Sequence, residues 1–86
     1  MKHELKILPQ FFKAVKDKSK TFEIRIDDRP YDVGDTIHFR EWISNEYTGD
    51  EAEVKINYTL RDETYVKAGT VVMSIELIES EATQCT

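Results

Sequence analysis

Between Glu51 and Leu60 apolar and polar residues alternate strictly: Ala52, Val54, Ile56, Tyr58 and Leu60 interleave with Glu51, Glu53, Lys55, Asn57 and Thr59. A period of two marks a strand with one face in the core and one in solvent. The same alternation predicts a strand over Thr70–Ile78, with Val71, Met73, Ile75 and Leu77 inward, and another over Thr36–Ile43, with Ile37, Phe39 and Ile43 inward. Two shorter stretches repeat it: His3–Ile7, where Leu5 and Ile7 share a face, and Thr21–Ile26, where Phe22, Ile24 and Ile26 alternate with Glu23 and Arg25. Phe22, Ile24, Phe39, Val54, Ile56, Met73 and Ile75 are the expected core.

The period changes once. Pro9 suits the first turn of a helix, where its missing N–H costs nothing. Gln10–Lys18 continues that helix, with Phe11, Phe12 and Val15 on one side and lysines on the other. Phe12 and Val15 are expected to pack on the core. Asp27–Asp35 reads as a polar loop containing Pro30 and Gly34, Asn45–Gly49 as a turn with Gly49 free to take positive φ, and Arg61–Gly69 as a further loop. The resulting order, β-α-β-β-β-β, predicts an α+β domain whose sheet curls on itself, a β pseudobarrel of about five strands with one helix after the first strand. The domain is expected over residues 1–79, with a polar tail over 80–86.

Composition narrows the class. A chain of 86 residues with 40% hydrophobic content has room for one compact core. No apolar run approaches the length of a membrane span, and the apolar stretch from Leu5 breaks at Pro9, unlike a signal peptide. The single cysteine, Cys85, has no internal disulfide partner, so the expected compartment is cytoplasmic and no membrane is involved. The net charge of -5 excludes a protein that coats nucleic acid through bulk electrostatics. That charge is unevenly spread: eight basic and five acidic residues lie up to Arg29, against four basic and twelve acidic from Pro30 onward. An anion site belongs in the first third.

Candidate chemistry falls there. Lys20, Glu23 and Arg25 stand on or beside one strand, and opposite charges this close hold each other in fixed geometry while leaving donors free for a ligand. Arg25 could grip a phosphate, a carboxylate or a base edge, and Glu23 could accept from an amino or imino group. A structural ion pair with a solvated Lys20 is the plainer reading of the same spacing. By alternation Glu41 shares the face of Phe39, so it either points inward and pairs with Arg25 or Lys20, or strand twist returns it to water. Trp42 and Tyr47 could stack a base or belong to the core. His3 and His38 are too isolated for a metal site and read as structural. No zinc spacing, glycine-rich phosphate loop or Ser/His/Asp pattern occurs, and no cofactor is expected.

His3-Glu4-Leu5-Lys6, Lys20-Thr21-Phe22-Glu23-Ile24-Arg25, Asp28-Arg29, Val33-Gly34-Asp35, Arg40-Glu41-Trp42 and Tyr47-Thr48-Gly49 together resemble the ASCH-type branch of the PUA-like superfamily. The resemblance implies a PUA-like pseudobarrel with a cleft between the first helix and the sheet, where relatives are proposed to bind RNA or modified nucleotides. Lys20, Glu23 and Arg25 would line that cleft, with Lys6 and Arg29 at its rim and Glu41 and Trp42 beside it; RNA or a modified nucleoside is the implied partner. Some relatives are amidohydrolases that act on acetylated cytidine with a Lys, a Thr and a Glu. Lys20 matches their lysine, Glu23 stands at the place of their threonine, and Thr21 is the nearest hydroxyl. The expectation is therefore a binding module, with a small amidohydrolase for an acylated nucleoside-like amide as the alternative. A third possibility is a protein-interaction domain that uses the acidic later surface.

Overall fold

The computed structural model describes residues 1–79; the expected tail over 80–86, Cys85 included, lies outside the described residues. Its elements run β1 (Lys2–Ile7), α1 (Pro9–Lys16), β2 (Phe22–Ile26), β3 (Thr36–Ile43), β4 (Glu46–Leu60) and β5 (Thr70–Ile78). All five strands join one sheet in the order β1-β3-β4-β5-β2. β3, β4 and β5 form an antiparallel meander, β2 adds antiparallel to β5, and β1 adds parallel to β3. The sheet curls into a half-barrel that brings its two edge strands, β1 and β2, to face each other. This is the α+β pseudobarrel read from the alternation.

α1 opens at Pro9 and ends early because Lys18 adopts a left-handed backbone (φ 69°). The amides of Ser19 and Lys20 then both bond the Ala14 carbonyl, which turns the chain toward β2. Val15 is buried, and Phe12 packs against a core of Leu5, Ile7, Tyr31, Ile37, Phe39, Val54, Ile56, Val71, Met73 and Ile75.

Ile43, expected inward at the end of β3, is 48% exposed, and three further expectations need correction. Phe22 and Ile24 lie outside the core, 47% and 56% exposed, while Glu23 between them is only 6% exposed. Alternation defines two faces but not which is inner. β2 is an edge strand bordering a slot, and its charged face turns inward because the partners of Glu23 are supplied there. Second, the reversal after β3 is a two-residue turn at Ser44-Asn45, both with positive φ (53° and 65°), as in a type I′ hairpin. Third, Tyr47, Thr48 and Gly49 already belong to β4, and Gly49 (φ 102°) sits where the β3–β4 register shifts between Arg40 and Trp42. A second irregularity between Ile56 and Tyr58 sends Tyr58 outward.

One polar cluster anchors the start of the sheet. His3, 3% exposed, donates from Nε2 to Asp35 Oδ2 at 2.9 Å, and the Asp32 amide donates to the same oxygen at 3.1 Å. The His3 bond, opposed by desolvation, holds the Asp35 carboxyl below its ordinary value of 3.8. A depressed carboxyl contributes stability that is complete above the unfolded value and lost as pH falls through the folded one. Thermal unfolding followed by circular dichroism is expected to show a drop in stability below about pH 4. Asp35→Asn should cost about 2 kcal/mol at neutral pH and flatten that acid limb. An unchanged acid limb in the variant would assign the drop to other carboxylates.

Candidate functional site

A cleft of about 790 Å³ opens between β1 with the start of α1 on one side and β2 with its following loop on the other. Leu5, Ile7, Leu8, Phe11, Phe22 and Ile24 supply apolar lining. Its charged lining consists of Lys6, Lys20, Arg25 and Arg29 against Glu23 and Asp28, so the cleft carries two net positive charges in a chain of -5.

Glu23 organises the floor. Its Oε1 accepts from Lys20 Nζ at 2.6 Å and its Oε2 from Arg25 Nε at 2.6 Å. Lys20 Nζ also donates to the Phe22 carbonyl at 2.7 Å, which fastens that side chain to the free edge of its own strand. Both carboxylate oxygens are thus engaged, and with the side chain 7% exposed Glu23 faces its two cations rather than solvent. It acts as a pin that fixes two donors.

Arg25 and Arg29 span the gap. Arg25 Nη2 donates to the Lys6 carbonyl at 2.8 Å, and Arg29 Nη1 reaches the Glu4 carbonyl at 3.4 Å. Glu4 and Lys6 are alternate residues of β1, so both carbonyls point from its unpaired edge. Guanidinium groups therefore stand where a closed barrel would have main-chain ladder bonds.

Residues 2–75 match the family described as Domain of unknown function (DUF3850). The chain belongs to this family. Every charged residue of the cleft lies inside the DUF3850 span. The chain is also similar to an uncharacterized 12.9 kDa protein in the GpA 3′ region of Escherichia phage P2, with 37% identity over 54 residues, 63% of this chain and 50% of that protein. It thus spans about half the length of this curated relative. Among solved structures, the crystal structure of hypothetical protein PH0355 shares the fold, with a TM-score of 0.64 at 17% identity over 91% of this chain and 100% of that one.

In the DUF3850 cleft the structure brings together Lys6, Lys20, Glu23, Arg25 and Arg29. Glu41 and Trp42 fall outside its lining. Glu41 makes no ion pair among the described residues; its carboxylate accepts from Thr48 Oγ1 at 2.7 Å, because the irregularity after Arg40 carries it away from the slot. Trp42 touches the site only through Lys6, whose Nζ sits 4.0 Å from the indole ring centre, and it packs edge-on against Tyr47. Tyr31 was not legible as a cleft residue. It lies in a loop of polar and turn-forming residues, yet its ring is buried against His3 at 4.7 Å. The one signal in the sequence was an aromatic directly after Pro30, inside a stretch that otherwise needed none.

Proposed function

We propose that this domain is a small ASCH/PUA-like binding module that takes RNA or a modified nucleotide in the cleft between α1 and the sheet. The observation that carries this reading is the pinned pair Lys20 and Arg25 on a floor walled by Leu8, Phe11, Phe22 and Ile24. Fixed donors recognise acceptor groups without a large ordering cost, and flat apolar walls suit the faces of a base. Lys6 and Arg29 add positive charge at the rim. The amidohydrolase reading has less support, because Lys20 is engaged by Glu23 and by a carbonyl, Thr21 lies outside the cleft lining, and the hydroxyl of Ser19, which does line it, donates to the Ala14 carbonyl at 3.3 Å.

The test is a titration of the whole chain with a short single-stranded oligoribonucleotide across salt concentrations. A cleft with so few cations should neutralise about two or three phosphates, giving a slope of log affinity against log salt near -2. A much steeper slope would point to diffuse electrostatics rather than a pocket. No binding of oligonucleotide or nucleoside at low salt would defeat the reading.

A further inference from the structure

We propose that the cleft selects a ligand carrying a phosphate, a nucleoside monophosphate or the phosphorylated end of a strand, over the neutral nucleoside, and seats that phosphate between Arg25, Arg29 and Tyr31. The inference rests on the nucleotide-binding reading above and adds the ligand's charge and the residues that hold it.

The count of open donors leads to it. A guanidinium has five N–H groups, and Arg25 spends one on Glu23 and one on the Lys6 carbonyl, which leaves three. Lys20 spends two of its three protons. Arg29 is exposed and held by the single long contact to Glu4. Tyr31 is 3% exposed, but among the described residues no protein group bonds its hydroxyl and no buried side-chain polar atom lacks a partner. Its oxygen is therefore not fully enclosed, and the residue lines the cleft. Burial pushes the Tyr31 phenol up, while Arg29 and Arg25 pull the other way, so it remains a proton donor at neutral pH.

Acceptors are scarce by comparison. Glu23 is committed to its two cations, and Asp28 is the lining carboxylate without an ion pair among the described residues. A site of this kind rewards a ligand that brings acceptors and negative charge. Arg25 and Arg29 both reach the same unpaired edge of β1, at the Lys6 and Glu4 carbonyls, so their guanidinium groups stand on one side of the cleft mouth.

The experiment compares cytidine, cytidine 5′-monophosphate and inorganic phosphate by calorimetric titration of the whole chain at low salt. The monophosphate is expected to bind at least about tenfold more tightly than cytidine, one charge-assisted contact being enough for that factor. Arg29→Ala should erase most of this preference, and Tyr31→Phe, which keeps the buried ring, should reduce it severalfold. Asp28→Asn should raise monophosphate affinity. Equal binding of cytidine and its monophosphate overturns this inference and leaves the nucleotide-binding reading standing. Inorganic phosphate binding as tightly as the monophosphate overturns it in favour of a bare anion site. Binding by none of the three probes overturns this inference, and the oligoribonucleotide titration above then decides the nucleotide-binding reading.

Discussion

Replacing Arg25 with alanine is expected to weaken binding of a short oligoribonucleotide about thirtyfold, the equivalent of ~2 kcal/mol for losing a charge-assisted donor. The substitution removes the one group among the described residues that touches both lips of the cleft through well-formed bonds, to Glu23 on β2 and to the Lys6 carbonyl on β1. It also leaves Glu23 with Lys20 alone, so the floor loses its fixed orientation as well as a ligand contact. Lys55→Ala is the control. Lys55 is exposed on β4, outside the cleft, and its removal should change affinity by less than about twofold. Equal losses from the two variants, read in the same titration, would sink the pocket and favour a diffuse cationic surface.

Glu23→Ala is expected to be the most destabilising change in the site. Removing one member of a buried, hydrogen-bonded ion group costs about 3 kcal/mol, because the remaining charges keep their desolvation and lose their partner. Lys20 and Arg25 would then confront each other as like charges with side chains only 15% and 27% exposed. In a domain of this size that corresponds to a fall in Tm on the order of 15 °C, measurable by circular dichroism. Glu23→Gln keeps one acceptor and the shape, and should recover about half of the loss. A Glu23→Ala variant that melts with the parent protein would show that the two cations are held by the Phe22 and Lys6 carbonyls and need no pin.

The extents of most elements were legible because their signals were local. Thr36–Ile43 and Thr70–Ile78 form strands over those same residues, and Pro9 opens the helix. Where reading failed, the missing information was tertiary. Nothing in Phe22-Glu23-Ile24-Arg25-Ile26 says that the strand sits at the lip of a slot, so the usual assignment of apolar side chains to the core puts the wrong face inward. Glu41 was open either way, inward by alternation or returned to water by strand twist, and a register shift that no propensity encodes takes it to Thr48. At the hairpin, glycine was the natural candidate for positive φ, whereas the turn uses Ser44 and Asn45 and spends Gly49 on the irregularity beyond it. Lys20, Glu23 and Arg25 were legible as a cluster from their spacing alone. Their grip on the β1 backbone was not, since it depends on the curl that brings the first and last strands of the sheet order together.

The way the half-barrel is closed also governs how it moves. Strands joined by a ladder separate only when many bonds break together, an event that belongs with partial unfolding. The β1 edge is tied across the opening by two arginine side chains, Arg25 from β2 and Arg29 from the loop after it, the latter through a long contact. A side chain leaves and regains a carbonyl by rotamer flips, which are far quicker than collective rearrangements. The mouth can thus widen and narrow while the rest of the sheet stays intact, and its resting width is set by the reach of two residues. A chain built on the same scaffold could admit a bulkier guest by shortening one of those arms, with no new hydrogen-bond register to find.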